Sequence, residues 1–380
     1  MFRPQIQKTR FLVLIASITM LTIFWVSNSI ELIPADDIKE KSLATEVMHE
    51  YLQVIKEIPG NNNNTEIDLY NSGLIGEAFS PITSIFESED NQFLNSKIAC
   101  THPNFSALIV NLFDEAELNS GDTVAVHLTG SLPGANIAFL SACKALDITP
   151  VILSSLSSSS WGLNKPSMTW LDIESYLYNN KFTDFKSIAV SIGGEGDTGE
   201  NLNDEGIEIL EENIIANESI LINEKNLESN INKKLRIYSN YMPVENYSAF
   251  INIGGNPSSI GPGAGKDTMK VGVVFPLEIM DIVDEHNSFV GSIAHKFLNN
   301  EVVFINIKNI NILASQVGLY PPNISIEKNK GSLFYAEESY NILTILIALM
   351  INLVIISIVG VRSHNQIKRR MRNEEFDSIL

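Results

Sequence analysis

Apolar residues gather in two long runs near the ends of the chain and in short, regularly spaced blocks between them. The first run, Phe11–Ile33, carries one charge, Glu31, near its far end, and the second, Ile342–Val361, carries none. At 1.5 Å per residue each can cross the roughly 30 Å hydrocarbon core of a bilayer, and neither has the polar stripe of a helix packed in a soluble core. Both are expected to be transmembrane helices. For the first, a cleaved signal peptide is the alternative, because the small residues Ser27 and Ser29 follow the apolar stretch.

Between the runs the pattern alternates between short buried-strand blocks and helical spacing. Ile38, Leu43, Val47, Tyr51, Leu52 and Ile55 recur at helical intervals after Asp36, and Pro59, Gly60 and the run Asn61–Asn64 then break the helix. Further helices are predicted from Phe105 to Phe113, Pro133–Leu146, Thr169–Tyr178, Asp204–Ala216, Glu224–Tyr241, Phe289–Leu298 and Ile307–Val317. Strands are predicted at Thr123–Leu128, Pro150–Leu153, Ser187–Ile192, Phe250–Ile253, Val271–Phe275 and Val302–Ile305. This alternation predicts an α/β fold, a parallel sheet with helices on both faces, anchored by an N-terminal and a C-terminal transmembrane helix. The expected organisation is a cytoplasmic N-terminus (1–10), a membrane helix (11–33), a membrane-proximal helix and linker (34–64), an extracytoplasmic α/β domain (65–341), a second membrane helix (342–361) and a basic tail (362–380).

Charge sets the orientation. Arg3, Lys8 and Arg10 precede the first run, and Arg362, Lys368, Arg369, Arg370 and Arg372 follow the second, so both termini are expected in the cytoplasm and the protein in the cytoplasmic membrane as a two-pass chain. Setting aside these eight basic and three acidic residues leaves residues 31–341 with 18 basic and 42 acidic residues, a net charge of about −24. Such a field disfavours nucleic acid as a partner. Cys100 and Cys143 are the only cysteines; a disulfide and two buried free thiols both remain open.

Open parallel sheets bind ligands beyond the carboxyl ends of their strands, and here those ends are polar and rich in glycine. The first strand runs into Gly130 and Ser131, with Asn136 in the following helix, whose start at Pro133 offers N–H groups to an anion. The second ends in a serine-rich loop with Ser159, Ser160 and Trp161; the third gives Gly193 and Gly194; the fourth gives Gly254, Gly255, Asn256 and Ser258. Together these residues form one candidate ligand-binding set, while each loop taken singly reads equally well as an ordinary turn. Ser131 is the candidate nucleophile, with His102 the one histidine considered as its base, although a capping role suits His102 better. Glu195, Asp197 and Glu200 offer oxygen ligands to a divalent cation, or equally cap the helix that follows.

Four stretches carry a resemblance: Gly73–Thr83 (GLIGEAFSPIT), His102–Phe105 (HPNF), Gly130–Asn136 (GSLPGAN) and Ser159–Glu174 (SSWGLNKPSMTWLDIE). They resemble the poly-gamma-glutamate system protein family, which accompanies the bacterial genes for making and exporting poly-γ-glutamate. The resemblance implies a role in capsule or polymer production beside the synthase and exporter proteins, with the polymer itself a possible partner. It transfers no catalytic residue. Two classes of function follow: an accessory component of synthesis and export, or an extracytoplasmic enzyme that hydrolyses or transfers the γ-glutamyl chain. The acidic surface argues against a general polyanion receptor unless Lys233, Lys234 and Arg236, Lys266 and Lys270, or bound cations provide local relief.

Overall fold

The computed structural model describes residues 9–61, 66–86, 92–263, 269–285 and 287–377. Arg3, Lys8, Asn62–Asn64 and Lys266 lie outside them. Two compact units result, one from both chain ends and one from Ala35–Phe334.

The unit of chain ends contains α1 (Thr9–Ser27), β1 (Ile30–Pro34), β11 (Tyr335–Tyr340) and α13 (Ile342–Asp377). The expected first span of Phe11–Ile33 is too long. Ser27, Asn28 and Ser29 turn their side chains back onto the carbonyls of Phe24 and Val26, which ends the helix. The chain then enters β1, paired antiparallel with β11. The apolar helical stretch that remains is Phe11–Ser27, about 26 Å at 1.5 Å per residue. Among the described residues one helix, Ile342–Arg369, is long and apolar enough to cross a membrane, with mean hydropathy 3.0. Helix α13 continues past Val361 to Asp377, so the basic residues of the expected tail, Arg362 to Arg372, fall within the helix. The helices α1 and α13 are joined by side-chain amide and hydroxyl groups: Thr19 Oγ1 donates to Asn352 Oδ1, and Asn352 Nδ2 donates to Thr22 Oγ1, each at 2.8 Å.

In the second unit the chain order is α2 (Ile38–Lys56), β2 (Thr83–Ile85), α3 (Gln92–Ala99), α4 (Asn104–Glu115), β3 (Thr123–Thr129), α5 (Pro133–Leu146), β4 (Thr149–Ser155), β5 (Ser158–Ser159), α6 (Trp170–Asn179) and β6 (Ala189–Ser191). It continues with α7 (Asp204–Ala216), β7 (Leu221–Ile222), α8 (Leu227–Tyr241), β8 (Ala249–Ile253), α9 (Pro257–Ile260), β9 (Gly272–Val274), α10 (Ile279–Glu285), α11 (Ile293–Leu298), β10 (Val303–Ile307) and α12 (Ile310–Gln316). Helix α2 is a core element rather than a linker: Ala44, Met48, Tyr51 and Ile55 are fully buried where it packs on α4 and α5. The α/β unit therefore begins near Ala35, not at residue 65.

Seven strands form the central sheet in the order β7-β6-β4-β3-β8-β10-β9. All neighbours are parallel except β9, an edge strand antiparallel to β10. Every residue of β3 from Val124 to Thr129 is buried, as a strand covered on both faces must be. On one face Ala125, Val151, Leu153, Phe250 and Phe304 pack against Ile231 and Tyr238 of α8 and Phe297 of α11. At about 25 cal/mol per Å² of apolar surface, such side chains contribute about 1.5–3 kcal/mol each. Strands β4, β6 and β7 build outward from one side of β3, and β8 and β10 from the other, so the winding reverses between β3 and β8. At such a switch point the connections diverge and leave a crevice at the strands' carboxyl ends.

Candidate functional site

A cleft of about 740 Å³ opens at that crevice. All four polar loops reach it: Thr129 and Ser131 after β3, Ser155, Ser157 and Ser159 along β4 and β5, Gly194 and Glu195 after β6, and Gly254, Gly255 and Asn256 after β8. Lys97 from α3, Lys308 after β10 and the lip residues Ser84, Phe86 and Phe93 join them without any mark in the sequence pattern. Among the described lining residues Lys97 and Lys308 are the cations and Glu195 the one carboxylate, so the described lining carries a net positive charge inside a strongly acidic domain. Phe86 and Phe93 are about half exposed at the lip (57% and 46%), and Phe79 stacks on Phe86 with ring centroids 5.3 Å apart.

The wall carrying Ser131 and Ser159 is tightly knit. A Cβ on Gly130 would lie 2.5 Å from the Leu156 carbonyl oxygen, so glycine is required there for close approach of the β4–β5 backbone. Gly254 has φ +87 and faces the Thr129 side chain, a conformation that favours glycine. Asn136 is buried and donates Nδ2 to the Thr129 carbonyl at 2.8 Å, bracing the turn without lining the cleft. Ser159 N–H donates to Ser131 Oγ at 3.0 Å, and Lys97 Nζ donates to Ser159 Oγ at 2.7 Å. Lys97 and Ser159 are each 4% exposed.

Several expected roles change. The start of α5 was expected to present N–H groups to an anion, but the Cys100 thiol occupies it: the thiol meets the Gly134 and Ala135 N–H groups, while burial pushes its pKa up to about 12. Cys100 and Cys143 are both free and buried. His102 caps α4, accepting from Asn104 N–H at 3.0 Å, and sits edge-on to Tyr70 away from Ser131's cleft. Trp161 is half-buried with φ +63, and its backbone exchanges hydrogen bonds with Gly76 and Glu77; neither it nor Ser160 lines the cleft. Gly193 and Ser258 stand behind the lining.

Beneath the cleft lies an ion pair that the sequence reading had divided between two other roles. Lys234 of α8, placed among surface cations, is fully buried, and its Nζ lies 2.5 Å from Asp197 Oδ2, 2.8 Å from His127 Nε2, 2.9 Å from Ser258 Oγ and 3.1 Å from Ser191 Oγ, four polar atoms around an ammonium with three protons. Asp197 is therefore taken up by an ammonium rather than offered to a metal. Its second oxygen accepts from Ser191 Oγ at 2.7 Å and from Asn256 Nδ2 at 3.0 Å. Burial works to raise the Asp197 pKa, but the Lys234 charge and the donated hydrogen bonds carry it below the usual carboxylate range. Burial and the neighbouring ammonium push the His127 pKa well below its usual value and hold the ring neutral. Glu195 accepts from Asn201 instead, and no group of three His, Cys, Asp or Glu side chains among the described residues is placed to hold a metal ion. Lys270 pairs with Glu278.

The fold and cleft define a class: a doubly wound α/β domain with a cationic, hydroxyl-lined cleft at its switch point, in a chain that also bears a helix able to cross a membrane. No protein family, curated protein or solved structure matches the chain.

Proposed function

We propose that the chain is a membrane-anchored accessory component of bacterial poly-γ-glutamate synthesis or export, and that its cleft binds a carboxylate-bearing ligand outside the cytoplasm. The observation that carries the ligand class is the lining: Lys97 and Lys308 with hydroxyls from Ser84, Ser96, Thr129, Ser131, Ser155, Ser157 and Ser159. Ammonium groups attract carboxylates, and hydroxyls both donate to and accept from amides. A local cationic cleft also answers the objection that an acidic domain repels a polyanion, because field is set by nearby charges when the walls exclude water.

The pathway rests on the resemblance. Three of its four stretches meet behind the cleft lining of Ser131 and Ser159: Leu163 N–H donates to the Gly130 carbonyl, Gly76 N–H to the Trp161 carbonyl, and the Asn164 side chain bonds both Glu77 backbone groups and Thr83 Oγ1. Anchoring rests on α13, on α1 beside it, and on the basic residues flanking both. The full chain in detergent should bind short γ-linked glutamate oligomers with an affinity that falls as salt rises, and removal of the gene should abolish surface polymer. Normal polymer without the chain overturns the pathway, and absence of oligomer binding overturns the ligand. A periplasm-type reporter should be active at Asn230 and silent after Arg372; the reverse overturns the orientation.

A further inference from the structure

The contact between Lys97 and Ser159 has a chemical meaning beyond attraction of an anion. Serine hydroxyls are poor nucleophiles until a base takes their proton, and a lysine amine within hydrogen-bond reach is one of the bases that serve. Lys97 Nζ lies 2.7 Å from Ser159 Oγ, and both side chains sit in the wall of the cleft. The serine is held rigidly. It lies in β5, paired with β2; its neighbours' N–H groups donate to the Ile82 and Ile85 carbonyls, and its own N–H donates to Ser131 Oγ. A fixed hydroxyl beside a buried amine, opening on a cleft at the switch point of the sheet, is the geometry of an acyl-transfer centre.

We propose that Ser159 is a nucleophile and Lys97 its general base, acting on an amide that carries a nearby carboxylate. In molecules whose Lys97 is deprotonated, Ser159 Oγ attacks the amide carbon as its proton passes to Lys97 Nζ. The carbon–nitrogen bond breaks, the leaving amine takes the proton from Lys97, and an ester to Ser159 remains. Water, or the amine of a second chain, attacks that ester and returns a proton through Lys97 to Ser159 Oγ, giving hydrolysis or transfer. Lys308, on the β10 side of the cleft, offers a cation for the substrate carboxylate. Ser131 is a positioning residue, because its Oγ bonds the Ser159 backbone.

The substrate class rests on the ligand reading above, but the nucleophile is tested without it. A fluorophosphonate probe is added to the full chain in detergent, and the labelled peptide is identified by mass spectrometry. Phosphonylation should fall on Ser159, with fluoride leaving. Its rate should climb with pH as the Lys97 ammonium loses its proton, and should drop at least about 100-fold in Lys97→Arg, which keeps the charge and cannot act as a base. Ser131→Ala should retain the label with a slower rate. Lys97→Gln and Ser159→Ala serve as second variants, with the thermal transition of each recorded to show that it folds. A wild-type rate no greater than that of Ser159→Ala, or a Lys97→Arg rate equal to wild type, overturns the proposal. Oligomer binding without a reactive serine overturns this inference alone; a reactive serine without oligomer binding overturns the ligand reading alone.

Discussion

Lys234→Met leaves a buried carboxylate facing a methyl group. In the native protein the ammonium lies within hydrogen-bond reach of Asp197, His127, Ser191 and Ser258, and it links α8 to strands β3 and β6, to the loop after β6 and to α9. Removing one partner of a buried ion pair costs about 3–5 kcal/mol, since the remaining charge has lost both solvent and counter-ion. Residues 35–334 unfold with an entropy of about 2.1 cal/mol/K per residue, so the loss corresponds to a fall in Tm of roughly 5–8 °C. Adding Asp197→Asn removes the stranded charge, and the double variant should recover part of the loss, so the two single effects sum to more than the double. Circular dichroism melts of the four proteins measure the cycle. The single variant should also bind γ-linked oligomers more weakly, because Asp197 Oδ1 holds the Asn256 amide at the cleft. A Tm change under 1 °C in Lys234→Met, or strictly additive single effects, refutes the view that a buried ion pair braces these loops.

The remaining predictions concern other buried groups and the lining. Burial raises the Glu174 pKa to about 7, against the lowering effect of the Ser187 N–H and hydroxyl donors, so between about pH 4.5 and 7 its native form holds a proton that the unfolded form has lost. The stability it contributes is present below about pH 4.5 and lost as pH rises through about 7; Glu174→Gln should therefore flatten the pH profile and gain up to about 3 kcal/mol at pH 8, which urea melts at pH 4.5 and 8 would measure. Cys100 and Cys143 should react with a maleimide only after unfolding, and a reductant should leave the Tm unchanged, because both thiols are free and buried. Gly255→Ala should fold normally, since its Cβ would meet only Lys308 Cε at an ordinary 3.5 Å, yet it should weaken oligomer binding by crowding the cleft; unchanged affinity, by titration calorimetry, would place the ligand elsewhere.

The sheet was legible because its strands obey local rules. Strands buried on both faces read as continuous apolar runs, and β3, β4 and β8 did so; α5 and α7 were read to their end residues, Pro133–Leu146 and Asp204–Ala216, because a proline marks the start of one and an acidic first turn the start of the other. The edges were harder. Strands β5 and β7 have two residues each, too few for periodicity, and β9 joins the sheet antiparallel, which no pattern within Val271–Phe275 reveals. Helix α2 has the amphipathic spacing of a lone helix, and only its packing on α4 and α5 shows that it belongs to the core.

The site was half legible for a related reason: loops announce themselves by glycine and serine, whereas cations that reach a cleft from elsewhere do not. Lys97 lies in an eight-residue helix after an acidic stretch, and Lys308 follows an edge-side strand, so neither spacing nor composition joins them to Ser131 and Asn256. Lys234 did leave a signal. Asn230, Lys234 and Tyr238 recur every four residues in α8, and with Ile231 they form its buried stripe. A lysine and an asparagine within such a stripe cannot face solvent, and burial without a partner would be prohibitive, so the pattern itself demands an acidic residue on a facing element. The loop after β6 supplies it as Asp197, held at φ +60 and bonded through its backbone carbonyl to Asn230 as well as through its carboxylate to Lys234. The carboxylate that the sequence offered to a metal ion thus has its counter-charge built into the protein, and the cleft above it is shaped by that pair.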